Sequence, residues 1–268
     1  MFEKNLAPLL LPNLPAGGSP EHFYHFLLSY FLPLDDYLSR HKPARVVLRD
    51  CGPMNAWFEM LPPGTTREIA PLATLLEALS PTEVAQAHLP SFEIDQPTRA
   101  RRIARVRKRV LARVKVTSRP RQTHLTFINR LPSLPFYLED AEIKTSGAER
   151  RSLPNFDSLL AALAEVSMAQ SFAGEHLPPA EQVRVMSETS ILVGQHGAGL
   201  ANMVWMRPGG HVVEILPDTL AGPLRRQLFR SLAHLCGHSY ACVSQSDDHA
   251  PADAESLVHA VTHRERID

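Results

Sequence analysis

Six residues between Ser190 and Pro217 have the types and spacing to hold an anionic ligand: His196, Gly197, Ala198, Gly199, Asn202 and Glu214. They stand in the run SILVGQHGAGLANMVWMRPGGHVVEILP. Its apolar residues Ile191, Leu192 and Val193 stop at Gly194, a small-residue turn follows, and a helical stretch runs from Leu200 to Met206. Pro208-Gly209-Gly210 breaks that stretch before a second apolar run from Val212 to Leu216. This pattern predicts strand, glycine turn, helix, turn, strand, which puts a helix start at the carboxyl edge of a parallel sheet. A helix start offers unpaired N–H groups and partial positive charge, and both suit a phosphate. Gly197 and Gly199 let the backbone approach a ligand where a Cβ would intrude. His196 reads either as a ligand-facing imidazole or as a turn histidine bonded to a carbonyl. Asn202 either caps its own helix or reaches a hydroxyl. Glu214 stands among apolar neighbours, where an unpaired carboxylate costs several kcal/mol. It needs donors, either from a ligand or from an internal partner such as an arginine.

Cationic chemistry is available nearby in sequence. Arg130 follows the alternating segment Thr123–Asn129, which predicts a strand with the guanidinium at its carboxyl end. From there an arginine can clamp a phosphate through two parallel hydrogen bonds. Arg150 and Arg151 can add to that charge, with one of them pairing to a nearby acid. Two other constellations carry less. His234, Cys236, His238 and Cys242 are soft ligands whose spacing fits no ordinary zinc pattern, so a structural role is expected and no metal site. No G-x-S-x-G elbow is present to anchor a serine hydrolase.

The elements that must position these residues alternate. The pattern predicts a helix over Glu21–Leu38, a strand over Ala44–Leu48 and a helix over Ala70–Leu79. After the strand at Thr123–Asn129 come a helix over Ser158–Met168 capped by Asn155 or Asp157, and a helix over Pro179–Ser187. Beyond the glycine unit follow a helix over Leu224–His234, a strand at Tyr240–Val243 and a helix over Ala252–Val261. Strands alternating with helices argue for an α/β fold on parallel sheets. Between Arg99 and Arg121 the chain is strongly basic and has no acid, while Ile103, Val106, Val110 and Val114 recur at helical spacing. An amphipathic helix over residues 99–115 with a basic outer face is expected, either as a solvated connector or as a surface for anionic lipid or a polyanion.

Composition sets the frame. With 268 residues, 44% of them hydrophobic, the chain can bury one large core or two smaller ones. Zero formal net charge gives no general pull toward nucleic acid or membrane. Three cysteines with no framework spacing fit a reducing compartment. No run approaches ~18–20 uninterrupted apolar residues, so no membrane-spanning helix is expected. Leu9-Leu-Leu11 is bracketed by prolines without a basic lead, so no signal peptide is expected either.

With its His, Asn and Glu in place, the glycine block resembles the signature of glycosyltransferase family 61. The segment His176–Met186 is similar to the family's approach to the glycine turn. Thr126-Phe-Ile-Asn-Arg130 resembles its strand ending in arginine, and Arg150–Asp157 its double-arginine segment. His22–Pro33 resembles the family's aromatic-His-aromatic helix, in which His25 is the histidine. The family often has an aspartate four residues later, where this chain has Ser29. The resemblance implies a GT-B-like fold of two facing Rossmann-like halves, the N-terminal one reduced. Here they would be residues 1–119, including the basic helix, and residues 120–268. It also implies an inverting glycosyltransferase that moves a sugar from a nucleotide-diphosphate donor, expected to be a UDP-sugar, to a hydroxyl of a glycan, lipid or protein. Arg130, Arg151, His196, Gly197, Ala198, Gly199, Asn202 and Glu214 would then bind the donor. His25 would be the first candidate for the catalytic base, followed by Asp35, Asp36 and Asp50. No cofactor, divalent metal or nucleic acid is expected, and the location expected is cytoplasmic, with the basic helix able to touch a membrane face. The alternatives are a non-catalytic nucleotide-binding scaffold of the same fold and a peripheral membrane or polyanion binder working through Arg99–Arg121.

Overall fold

The computed structural model describes residues 7–15, 18–77, 80, 82, 86–92, 98–116, 124–139, 147–220 and 222–263. Among the described residues the strands pair only in parallel, within two sheets, so crossover connections separate them. The chain divides into two compact units, residues 1–106 and 107–268. The boundary expected from sequence, at 119/120, lies outside the described residues.

The first unit holds a three-stranded sheet in the order β1 (Leu9–Leu10), β2 (Arg45–Arg49), β3 (Thr66–Ala70). Its helical segment starts at Phe23–Phe26, widens into a π-helical turn at Leu27–Phe31 and continues as Leu32–His41. The segment buries Phe26, Tyr30 and Phe31, and their rings pack with Trp57 and Phe58 from the 3-10 helix Gly52–Met60. The Tyr30 hydroxyl donates to the Leu10 carbonyl at 2.7 Å and accepts from the Arg49 amide at 2.9 Å, which ties two strands to the helix.

The second unit carries a five-stranded sheet: β4 (His124–Ile128), β5 (Met168–Phe172), β6 (Ile191–Gln195), β7 (His211–Pro217) and β8 (Ser239–Gln245), in the spatial order β5-β4-β6-β7-β8. Every residue of β6 and β7 is buried, as expected of central strands covered on both faces. Leu159 and Leu163 of the helix Phe156–Ala164 pack on this core, as do Leu257 and Val261 of the helix Ala254–Thr262. The order reverses at β4, which has β5 on one side and β6 on the other. Such a switch point leaves a crevice beyond the carboxyl ends of the two strands, where open α/β sheets bind ligands.

The basic helix runs over Arg99–Arg113 and buries Ile103, Val106 and Val110. Part of its charge is engaged in the fold. Arg102 reaches Asp36 at 3.5 Å and lies over the Phe92 ring, while Arg107 donates to the Met206 carbonyl at 3.1 Å. Arg101, Arg105 and Lys108 face outward. Among the described residues no helix is long and apolar enough to cross a membrane.

Several local expectations are corrected. The helix expected to reach Met168 ends at Ala164, and Met168–Phe172 is an edge strand. Its sequence, MAQSF, shows no apolar alternation because most of it is exposed. The exposed strand Thr66–Ala70 was hidden for the same reason, so the helix expected from Ala70 begins at Leu72. Asn155 makes no side-chain cap. Its amide binds both the carbonyl (2.8 Å) and the amide (3.2 Å) of Ala252, pinning the approach to the last helix.

Candidate functional site

The glycine turn leaves the end of β6 and enters not an α-helix but a 3-10 helix, Ala198–Trp205, which buries Leu200 through Trp205. At the helix start, the amides of Ala198 and Gly199 precede the first intrahelical acceptor. The Leu200 amide is the first to fold back, onto the Gly197 carbonyl at 3.1 Å. Asn202 turns its amide onto the Gly199 carbonyl at 3.2 Å, while its Oδ1 is buried with no hydrogen bond among the described residues.

The need for glycine at 197 comes from a neighbour. A Cβ there would stand 1.7 Å from Nη2 of Arg130. The backbone is extended (φ 162°, ψ 175°), so the constraint at 197 is steric, set by the guanidinium, and not backbone strain. At Gly199 the nearest atom is Ile128 Cγ2 at 3.2 Å, a milder constraint. The two glycines therefore let β6 and its turn close onto the end of β4.

Two guanidinium groups converge on one backbone oxygen. Arg130 donates to the His196 carbonyl at 2.7 Å, and Arg151 reaches the same oxygen at 3.5 Å. Arg151 is buried and also bonds Asp248 at 2.7 Å. Burial, reinforced by the charges of Arg151 and Arg150, lowers the Arg130 pKa to about 10, with Glu175 and Asp248 acting in the opposite direction. Cationic charge is thus concentrated beside the turn, held in place by backbone carbonyls and few acids. A cleft opens here at the switch point, lined by Ile128, Asn129 and Arg130 after β4, Ser152, Leu153 and Phe156, and Gln195 at the end of β6.

Gln195 and His196 are consecutive and send their side chains to different partners, as adjacent residues leaving a strand do. Gln195 fixes its amide nitrogen on the carbonyls of Ser152 and Asp248, both at 3.1 Å, and on Gln245 at 2.7 Å. His196 is turned toward β7 and β8, where its Nδ1 pairs with Glu214 and its ring lies edge-on to Phe229 at 5.2 Å. Glu214 is fully buried, and its second oxygen accepts from the Tyr240 hydroxyl at 2.5 Å. Burial and the adjacent carboxylate push the Tyr240 hydroxyl far above its ordinary pKa, so it stays a donor. Glu214 thus has one internal partner on each oxygen.

The second unit thus brings together Arg130, Arg151, His196, Gly197, Ala198, Gly199, Asn202 and Glu214. The first unit holds His25, Asp35, Asp36 and Asp50. His25 is half-buried between the buried Tyr24 and Phe26. Asp35 is fully buried. Asp36 is buried and pairs with Arg40 at 3.1 Å and with Arg102. Asp50 closes a turn by accepting from the Gly52 amide at 2.8 Å and the Asn55 side chain at 2.7 Å. Ser29 sits in the π-helical turn, 3.4 Å from Ser91. Sequence reasoning missed Tyr240, Asp248 and Gln195. Tyr240 and Asp248 lie far along the chain from the glycine block and join it only through sheet pairing and a loop. Gln195 could have been suspected, as a polar residue closing an otherwise apolar strand.

His238, one of the soft ligands set aside, is buried and donates from Nε2 to the Met203 carbonyl at 3.0 Å. Cys236 is buried and Cys242 is exposed.

Compared with known proteins, residues 23–213 match the family model described as Glycosyltransferase 61. No curated protein matches the chain.

Proposed function

The chain belongs to glycosyltransferase family 61, and from that premise we propose that it is an inverting glycosyltransferase using a nucleotide-diphosphate sugar, specifically a UDP-sugar. The acceptor is a hydroxyl of a glycan, lipid or protein. The observation that carries this reading is the pair of guanidinium groups meeting at the His196 carbonyl, beside a glycine turn at the sheet's switch point. A helix start alone contributes only about 0.3–2 kcal/mol to anion binding. Arg130, with Arg151 paired to Asp248 beside it, supplies cationic charge for a leaving diphosphate, and this reading uses no divalent metal. The residues expected to bind the donor keep that role, Glu214 while also bonded to His196 and Tyr240.

In this reading the architecture is GT-B-like, with residues 107–268 as the nucleotide half and residues 1–106 as a reduced acceptor half. His25 is the base for the acceptor hydroxyl. Asp35, Asp36 (held by two arginines) and Asp50 (held by its own turn) follow it as candidates. The protein works in the cytoplasm, and the outward Arg101, Arg105 and Lys108 can bring it to an anionic membrane face.

A thermal-shift screen against nucleotides and nucleotide sugars, followed by a transfer and hydrolysis assay with the best donor, tests the proposal. A ligand at about a hundred times its Kd stabilises by about 2.7 kcal/mol, so the donor stands clear of the rest. Stabilisation by UDP without turnover of any UDP-sugar would make the chain a scaffold instead. No response to any nucleotide would remove the donor reading altogether.

A further inference from the structure

Two buried amide oxygens near the glycine turn have no hydrogen bond among the described residues, Gln195 Oε1 and Asn202 Oδ1. Gln195 is the one of the two that lines the cleft at the switch point. Its amide has one orientation available. Nε2 lies among three oxygens that can only accept: the carbonyls of Ser152 and Asp248, both at 3.1 Å, and Gln245 Oε1 at 2.7 Å. Gln245 is fixed in turn, because its own Nε2 donates to the carbonyls of Ser152 at 3.2 Å and Ala250 at 2.5 Å. A reversed Gln195 would set Oε1 against the same oxygens that now receive its hydrogens. What this side chain, only 3% exposed, has left to offer the cleft is therefore a pure acceptor.

A buried acceptor is costly to leave unpaired, and an N–H or O–H of a ligand satisfies it. The rest of the lining decides between those two. Ile128, Leu153 and Phe156 form an apolar wall, and Phe156 packs on Phe127 with 4.5 Å between ring centroids. A sugar hydroxyl brings lone pairs that want a donor of their own, which these three side chains lack. A nucleobase presents flat faces to such a wall and a ring N–H at its edge, the mix of apolar contact and one placed polar group that ligand clefts use. Arg130 lines the same cleft, so a cation for phosphate and an acceptor for the base stand together. Gln195 comes two residues before Gly197, and two residues span at most about 7 Å, a gap that one ribose bridges.

We propose that Gln195 is the specificity-determining residue for the base of the donor. Its Oε1 accepts from the ring N–H of uracil and turns away cytosine, whose ring nitrogen at that place presents a lone pair. The proposal rests on the reading of the chain as a UDP-sugar transferase with its diphosphate at the glycine turn. Gln245 is a positioning residue, holding the Gln195 amide in the orientation that leaves its oxygen to the ligand.

The test is calorimetry of UDP, CDP and N3-methyl-UDP binding to the full chain. The methyl group replaces the ring N–H that Oε1 takes, and cytosine has no hydrogen on that nitrogen. The wild-type protein is expected to bind UDP at least about tenfold tighter than either analogue. Gln195→Met keeps the length of the side chain and removes the acceptor, so the three affinities should come together. Loss of the Nε2 bonds alone would weaken all three ligands alike and leave their ratios standing. Should Gln195→Met fail to fold, Gln195→Asn, which withdraws the amide by one methylene, is expected to bring the affinities together in the same measurement. UDP binding by the wild type with no preference over CDP and N3-methyl-UDP overturns the proposal and leaves the donor reading intact. A preference that persists in the folded variant places the base contact on another residue and also overturns it. Absence of UDP binding by the wild type removes both.

Discussion

Replacing Gly197 with alanine isolates one contact, that between the turn and the Arg130 guanidinium. The added Cβ would sit 1.7 Å from Arg130 Nη2 and 2.9 Å from its Cζ, where ordinary contact begins at 3.4 Å. The nitrogen must therefore retreat by roughly 1.7 Å (3.4 − 1.7), which breaks its 2.7 Å bond to the His196 carbonyl. Alanine tolerates the extended backbone at this position, so no strain of its own enters. A hydrogen bond from a charged donor contributes about 1.5–3 kcal/mol, and that is the expected loss of stability. The assay is urea unfolding of wild type, Gly197→Ala, Arg130→Ala and the double variant, with equal m-values as the condition for comparison. With Arg130 already truncated, the alanine at 197 meets nothing and should cost less than about 0.5 kcal/mol, so the cycle yields a coupling of about 1.5–3 kcal/mol. The same cost for Gly197→Ala in both backgrounds would refute the reasoning and mean that the glycine serves the backbone alone.

Four further outcomes are expected. Arg130→Ala should weaken UDP binding far more than uridine binding, because the lost group addresses phosphate; equal losses by calorimetry would make the arginine merely structural. His25→Ala should lower kcat by at least ~10²-fold with donor affinity unchanged, and retained turnover would pass the role of base to Asp35, Asp36 or Asp50. Transfer activity should survive EDTA, whereas complete loss restored by Mn²⁺ would overturn the guanidinium account of the leaving group. The last concerns acid stability. Burial lowers the His238 pKa to about 4 from an ordinary 6.5, so the unfolded chain binds this proton first. Stability is then fully present above pH ~6.5 and falls by about 3 kcal/mol as pH drops toward 4, levelling off below. His238→Asn should flatten that part of the pH–stability profile, and an unchanged slope would mean that other groups produce it.

How far the sequence carries differs between elements. Strands β6 and β7 were legible because both are buried on two faces and read as continuous apolar runs around a glycine turn. The basic helix was legible because its apolar stripe repeats at helical spacing. Strands β3 and β5 were not, since exposed edge strands carry no periodic signal and tertiary pairing alone makes them strands.

The site divides along the same line. The local order of His196, Gly197, Ala198, Gly199 and Asn202 is a property of one short segment, and the sequence by itself determined the turn they make. Family membership also followed from such local segments. What only the tertiary structure decided is which groups those residues meet. Arg130 lies against Gly197, Arg151 shares a carbonyl with it, and Tyr240 completes the bonding of Glu214. These meetings depend on strand order, because β4 and β8 reach β6 and β7 through parallel pairing across long crossovers. Strand order is set by the packing of whole faces, and no window of neighbouring residues encodes it.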